Sequence, residues 1–233
     1  MPPNTAQRRR PDGPNAGVLA IVSLVLSLAA IAVPAAIAGG RMFVSPLEST
    51  AAVYSYITAN RTAIAVTGFF VFGASVPLGI YAATAYARLQ RLGIRVPGPN
   101  IAFYGGIAAS ILLGASGLST WALGQPVAGQ SPALLQTIDY VVYALGGVGF
   151  VGGLGLLIAG IAVPSLILRL TPSWLAWTGL ILAGLSELSF VSLLLPGLAI
   201  LLPIGRFAGL AWLVVVGFML PRNRHDVPVR NQT

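Results

Sequence analysis

The chain has 233 residues, 56% of them hydrophobic and only 8% charged, and a mean hydropathy of +0.87; a soluble domain carries about 25% charged residues, so the composition excludes one. A formal net charge of +8 comes from basic residues dispersed between apolar runs, which argues for membrane topology and against nucleic acid. Cysteine and lysine are both absent, which removes disulfides, thiolate nucleophiles, cysteine metal sites, Schiff-base lysines and phosphate-loop lysines together.

Residues 1–16, MPPNTAQRRRPDGPNA, hold too few apolar groups to offset the cost of ordering and read as a disordered, basic, cytoplasmic tail. Residues 17–220 then carry about six apolar runs of membrane-spanning length. The first extends from Gly17 to about Ala38, and Arg8 to Arg10 with Ala36-Ile37-Ala38 behind them also imitate a secretory signal and its cleavage site. In the following loop, Ser45-Pro46-Leu47-Glu48 matches a capping box with proline in the first turn. The pattern predicts a short amphipathic helix over 46–60, with Leu47, Val53, Tyr54 and Ile57 approximating one face, lying on the membrane surface or over the bundle.

The second run spans about Thr62 to Tyr86, the third about Ile101 to Leu123, and the fourth about Ile138 to Leu168. Within the fourth, ALGGVGFVGGLG sets Gly146, Gly149 and Gly153 where glycine lets helix backbones approach, within the chain or at an oligomer seam. The fifth covers about Trp174 to Leu195 and the sixth about Leu198 to Leu220, with residues 221–233 as a second tail. Ten arginines fall on one side of this layout, whereas Arg41 and Arg61 fall on the other. The positive-inside rule therefore predicts both termini in the cytoplasm of a plasma-membrane protein, and Tyr86, Trp174 and Trp121 fall at span ends where aromatic rings favour the interface.

Three ionisable side chains stand in or beside the spans: Glu187, Arg206 and Asp139. A charge at the bilayer centre costs about 2.5 to 3.5 kcal/mol on insertion scales, so such groups seek partners or do work. Glu187 lies nine residues before Pro196 and Arg206 nine after Gly197, which puts both about 13 Å below one turn at the helical rise and predicts a buried Glu–Arg pair, the carboxylate pointing inward. If Pro203 instead opens the last helix, residues 191–202 become a re-entrant loop and both groups rise together. Under a functional reading, Glu187 and Arg206, with Asp139, line a polar cavity in the outer half, and Tyr140, Tyr143 and Ser186 are its further candidate lining residues.

Catalytic chemistry is sparsely equipped. His225 is the sole histidine and lies in the terminal tail, so axial haem ligation, a zinc HExxH site and serine-hydrolase machinery have no residues, and no cofactor or metal is expected. The stretches LTPSWLAWTGLILAGLSELS and LLPIGRFAGLAWLVVVGFMLPRNR resemble the bacterial inner-membrane proteins grouped as domain of unknown function 4386. The resemblance implies an all-α, six-helix polytopic bundle and supplies no substrate or catalytic residues. The sequence thus predicts a non-catalytic binding or assembly protein in contact with lipid, with a homo-oligomer or membrane protein as candidate partner and no nucleic acid. A small-solute or proton-coupled transporter is the alternative.

Overall fold

The computed structural model describes residues 13–126 and 131–221. The tail expected at the amino terminus lies, up to residue 12, outside the described residues, as does the carboxy-terminal tail from residue 222. Among the described residues there are helices and no strands, in the order α1 (Ala16–Ile37), α2 (Thr50–Ala59), α3 (Arg61–Arg91), α4 (Gly98–Leu123), α5 (Pro132–Tyr143), α6 (Phe150–Ile167), α7 (Ser173–Leu188), a three-residue α8 (Leu201–Pro203) and α9 (Gly209–Met219). A π-helical turn, Ala144–Gly149, joins α5 to α6, and another, Ile204–Ala208, joins α8 to α9. Two 3-10 turns, Ser189–Leu193 and Pro196–Ile200, flank the last connection. Six helical segments, α1, α3, α4, 132–167, 173–193 and 196–219, are long and apolar enough to cross a bilayer, and the chain is a multi-pass, all-α membrane protein.

The two ends of the bundle differ. On one face, called here the terminal face, α1 begins and α9 ends, and a Cβ added at Gly217 would meet the Gly17 backbone at 2.7 Å. The opposite, loop face carries α2, the end of α4, the start of α5 and the turn near Leu195. Glycine sets the approach of the central helices. Gly105 and Gly153 lie against each other's carbonyls between α4 and α6, Gly160 lies on the Gly98–Ala102 backbone, and Gly117 lies on Phe72 of α3. With no hydrophobic drive between helices in lipid, such backbone contact and interhelical hydrogen bonds supply the adhesion. The latter include Ser23 Oγ to Ala74 O at 2.8 Å, Ser110 Oγ to Ser75 O at 2.8 Å and Trp212 Nε1 to Leu175 O at 2.8 Å.

Arg88, which the sequence assigns only to topology, is buried on the terminal face. Its Nη1 donates to Gly217 O at 2.9 Å and to Leu220 O at 3.4 Å. Those carbonyls close the last helix, where a cation both satisfies them and complements the dipole.

The first loop departs from expectation. The capping box at Ser45 closes a turn, with Glu48 N donating to Ser45 O at 3.0 Å, and the helix starts later, capped by Ser49, whose Oγ accepts from Ala52 N at 3.3 Å. The carbonyls that a helix from Pro46 would use are taken by α5: Gln136 Nε2 donates to Pro46 O at 3.0 Å and Glu48 O at 3.2 Å. The inward face is Val53, Tyr56 and Ile57, while Tyr54 and Leu47 point outward. Gly39 and Gly40, at φ +66° and +86°, make the sharp exit from α1 that this path requires.

Candidate functional site

The fourth and sixth spans reach the loop face through irregular backbone. In the fourth, glycine-rich Ala144–Gly149 takes a π turn, and the Val142 carbonyl beside it accepts from Ser116 Oγ at 3.0 Å. In the sixth, Pro203 has no N–H to donate, and the ladder resumes through the second π turn. Single π turns inside helices are frequent at functional sites. Both turn toward one cavity of about 450 Å³, a size within the range of small-molecule sites.

α1, α3, α4 and α5 complete the walls, and the 42–46 segment with Tyr56 closes the loop-face end. Phe43 and Tyr56 stack edge to face at 5.7 Å. Most of the lining is apolar, and two ionisable groups enter it. Asp139, in the middle of α5, is 1% exposed, and its Oδ2 is enclosed without a hydrogen-bond partner. Arg206, in the second π turn, lies with Cζ 4.9 Å from the Phe150 ring centroid, while its Nε is enclosed and has no partner. The ring face offsets part of the charge, by about 0.5 to 2 kcal/mol. Ser27 of α1, whose Oγ is likewise enclosed without a partner, lines the same cavity. Buried polar atoms are ordinarily satisfied, and of the six without a partner among the described residues three belong to residues that line this one space.

The expected Glu187–Arg206 pair is not formed: among the described residues no ion pair joins the two. Their depth is as read, because Gly205 lies against Ser186, where an added Cβ would meet Ser186 Oγ at 2.8 Å. Their directions differ. Arg206 faces the cavity, while Glu187 is on the exposed side of α7, its Oε1 beside Gly155 of α6. The inward carboxylate is therefore Asp139, and Arg206 shares a cavity with it rather than with Glu187. Residues 196–200 form a helical turn continuous with the span, so the re-entrant alternative does not apply.

Of the candidate lining residues, Tyr143 reaches the cavity and its hydroxyl lies 3.5 Å from Ser192 Oγ. Tyr140 points outward at 44% exposure, and Ser186 is buried against Gly205. The packing glycines all face α4: Gly146 lies on Ser116, Gly149 on Leu112 and Gly153 on Ala109. Sequence reading missed Ser27, Ser116 and Thr120 as cavity residues; a small polar residue in a span gives no signal to separate lining from packing. Among the described residues no cluster of three histidine, aspartate or glutamate side chains is placed to hold a metal. Comparison with protein-family models, with curated proteins and with solved structures finds no match.

Proposed function

We propose that the chain is a non-catalytic plasma-membrane protein that binds a small solute in the cavity between Asp139 and Arg206, with both termini in the cytoplasm. One observation carries the reading: two ionisable residues and a serine, each with an enclosed polar atom lacking a partner, line a single space of about 450 Å³. A structural ion pair would place the charges in contact and leave no space between them. The absence of cysteine and lysine, with one histidine near the carboxy terminus, supports binding over covalent catalysis. The arginine distribution supports the orientation. The resemblance of the last third to the domain of unknown function 4386 proteins remains a sequence reading and adds no ligand.

The chain's lack of cysteine makes the test direct. Ser27 and Ser165 are both buried, at 4% and 0% exposure, with unpartnered hydroxyls, and of the two Ser27 lines the cavity. In membranes, a small methanethiosulfonate should label the Ser27→Cys variant and leave the Ser165→Cys variant unlabelled. Equal labelling, or none at Ser27→Cys, overturns the reading.

A further inference from the structure

The cavity offers a negative and a positive group that do not neutralise each other. Asp139 enters from α5 and Arg206 from the second π turn, and among the described residues no ion pair links them. An enclosed charge without a partner is costly in low dielectric. An anionic occupant would satisfy Arg206 and leave Asp139, and a cationic one would do the reverse. A single molecule carrying both charges satisfies both. The walls around the two groups are apolar, formed among others by Val71, Val142, Val151, Leu202 and Phe207, and fit a hydrocarbon body.

Resting on the reading of this cavity as a binding site, we infer that its occupant is a zwitterionic amphiphile. Its primary ammonium donates to the Asp139 carboxylate, its carboxylate or phosphate accepts from the Arg206 guanidinium, and its apolar body fills the space beside them. Two sources share this chemistry: a free zwitterion of the apolar amino-acid type, and the headgroup of an ethanolamine phospholipid. The second is sterically open, because Ile31 and Met42 line the cavity yet are 41% and 68% exposed, which puts a mouth on the flank of the bundle beside α1.

The test is the thermal midpoint of the full chain in phosphatidylcholine nanodiscs, titrated with phenylalanine, 3-phenylpropanoate or 2-phenylethylamine, three probes differing only in which charges they carry. A parallel series replaces part of the phosphatidylcholine with phosphatidylethanolamine or phosphatidylglycerol. Phenylalanine should bind at least about tenfold more tightly than either single-charge analogue, since a site that pairs a polar group rejects the analogue lacking it. Stabilisation by phosphatidylethanolamine alone, without phosphatidylglycerol doing the same, supports the inference and assigns the lipid source. Asp139→Asn should make phenylalanine and 3-phenylpropanoate equal, and Arg206→Gln should make phenylalanine and 2-phenylethylamine equal.

A single-charge analogue that matches phenylalanine in the wild type overturns the inference. So does a chain that labels at Ser27→Cys but responds to neither phenylalanine nor phosphatidylethanolamine, which leaves the binding cavity standing; failure of the labelling itself removes the cavity reading. The wild-type comparison decides the matter even if a variant does not fold.

Discussion

The terminal-face half and the loop-face half of this bundle are built from the same six spans and solve opposite problems. Near the terminal face, α4 and α6 meet backbone to backbone at Gly98–Gly160, α1 meets α9 at Gly17–Gly217, and the buried Arg88 donates to the carbonyls that end the last helix. Near the loop face the fourth, fifth and sixth spans run into π and 3-10 turns, and Asp139, Arg206 and Ser27, each with an enclosed polar atom lacking a partner, line one cavity; Ser165 and Thr171 hold such atoms near the terminal face, outside that cavity. Regular backbone with glycine closes space. Irregular backbone and buried ionisable groups instead surround a cavity.

The contrast breaks most visibly at glycine. A Cβ at Gly160 would overlap the Ala102 backbone, whereas Gly152 and Gly184 face open space. Gly160→Leu is expected to destabilise by about 3 kcal/mol or more, the upper range for overpacking, and to lower folded yield. Gly152→Leu and Gly184→Leu should leave the detergent melting temperature nearly unchanged. A large loss at the open positions would point to an oligomer seam that covers them.

Next in size is Arg88. Arg88→Met keeps bulk and removes the donors to Gly217 and Leu220, and is expected to cost about 1 to 3 kcal/mol for carbonyls left unsatisfied. Denaturant titration measures it; a neutral result would mean that water replaces the guanidinium. Glu187 and Arg206 provide a sharper, smaller number. Since the two side chains do not pair, the penalties of Glu187→Ala and Arg206→Ala should add within about 0.5 kcal/mol in a double-mutant cycle. A coupling well above that restores the ion pair.

The smallest effect sits in the cover of the cavity. Burial raises the pKa of Tyr56, whose hydroxyl lies 3.5 Å from Arg41 O. A folded-state value above the unfolded one means that the folded chain binds more protons in alkali. Its contribution is therefore intact below the usual tyrosine value near 10 and is lost as pH rises through the folded-state value. Tyr56→Phe should flatten the alkaline limb of the melting profile while leaving the neutral region alone; an unchanged limb would mean that another group governs it.

The spans were legible because hydropathy over about 20 residues is set by composition alone. Depth was legible too: counting residues from the turn placed Glu187 and Arg206 level, and Ser186 does lie on Gly205. Direction was not. Between those residues the chain passes through two 3-10 turns, with about 3.0 residues per turn against 3.6, and a π turn, so each shifts the phase of every side chain beyond it. A cavity shared by Asp139 and Arg206 was open to a functional reading of the sequence, but that Arg206 enters it without Glu187 depends on that accumulated rotation. The start of α2 was misread for a related reason: Gln136, distant in sequence, claims the carbonyls at Pro46 and Glu48.

The central claim is that Asp139 and Arg206 are held apart for a ligand and do not hold the fold together. It is tested most directly by the unfolding free energies of Asp139→Asn and Arg206→Gln without ligand. Removing an enclosed charge that has no ion-pair partner should leave stability nearly unchanged or raise it, since the desolvation relieved offsets the Phe150 ring contact that Arg206 loses. A loss of about 3 to 5 kcal/mol in each variant, the cost of breaking a buried ion pair, would contradict the account and make these two residues a structural clamp.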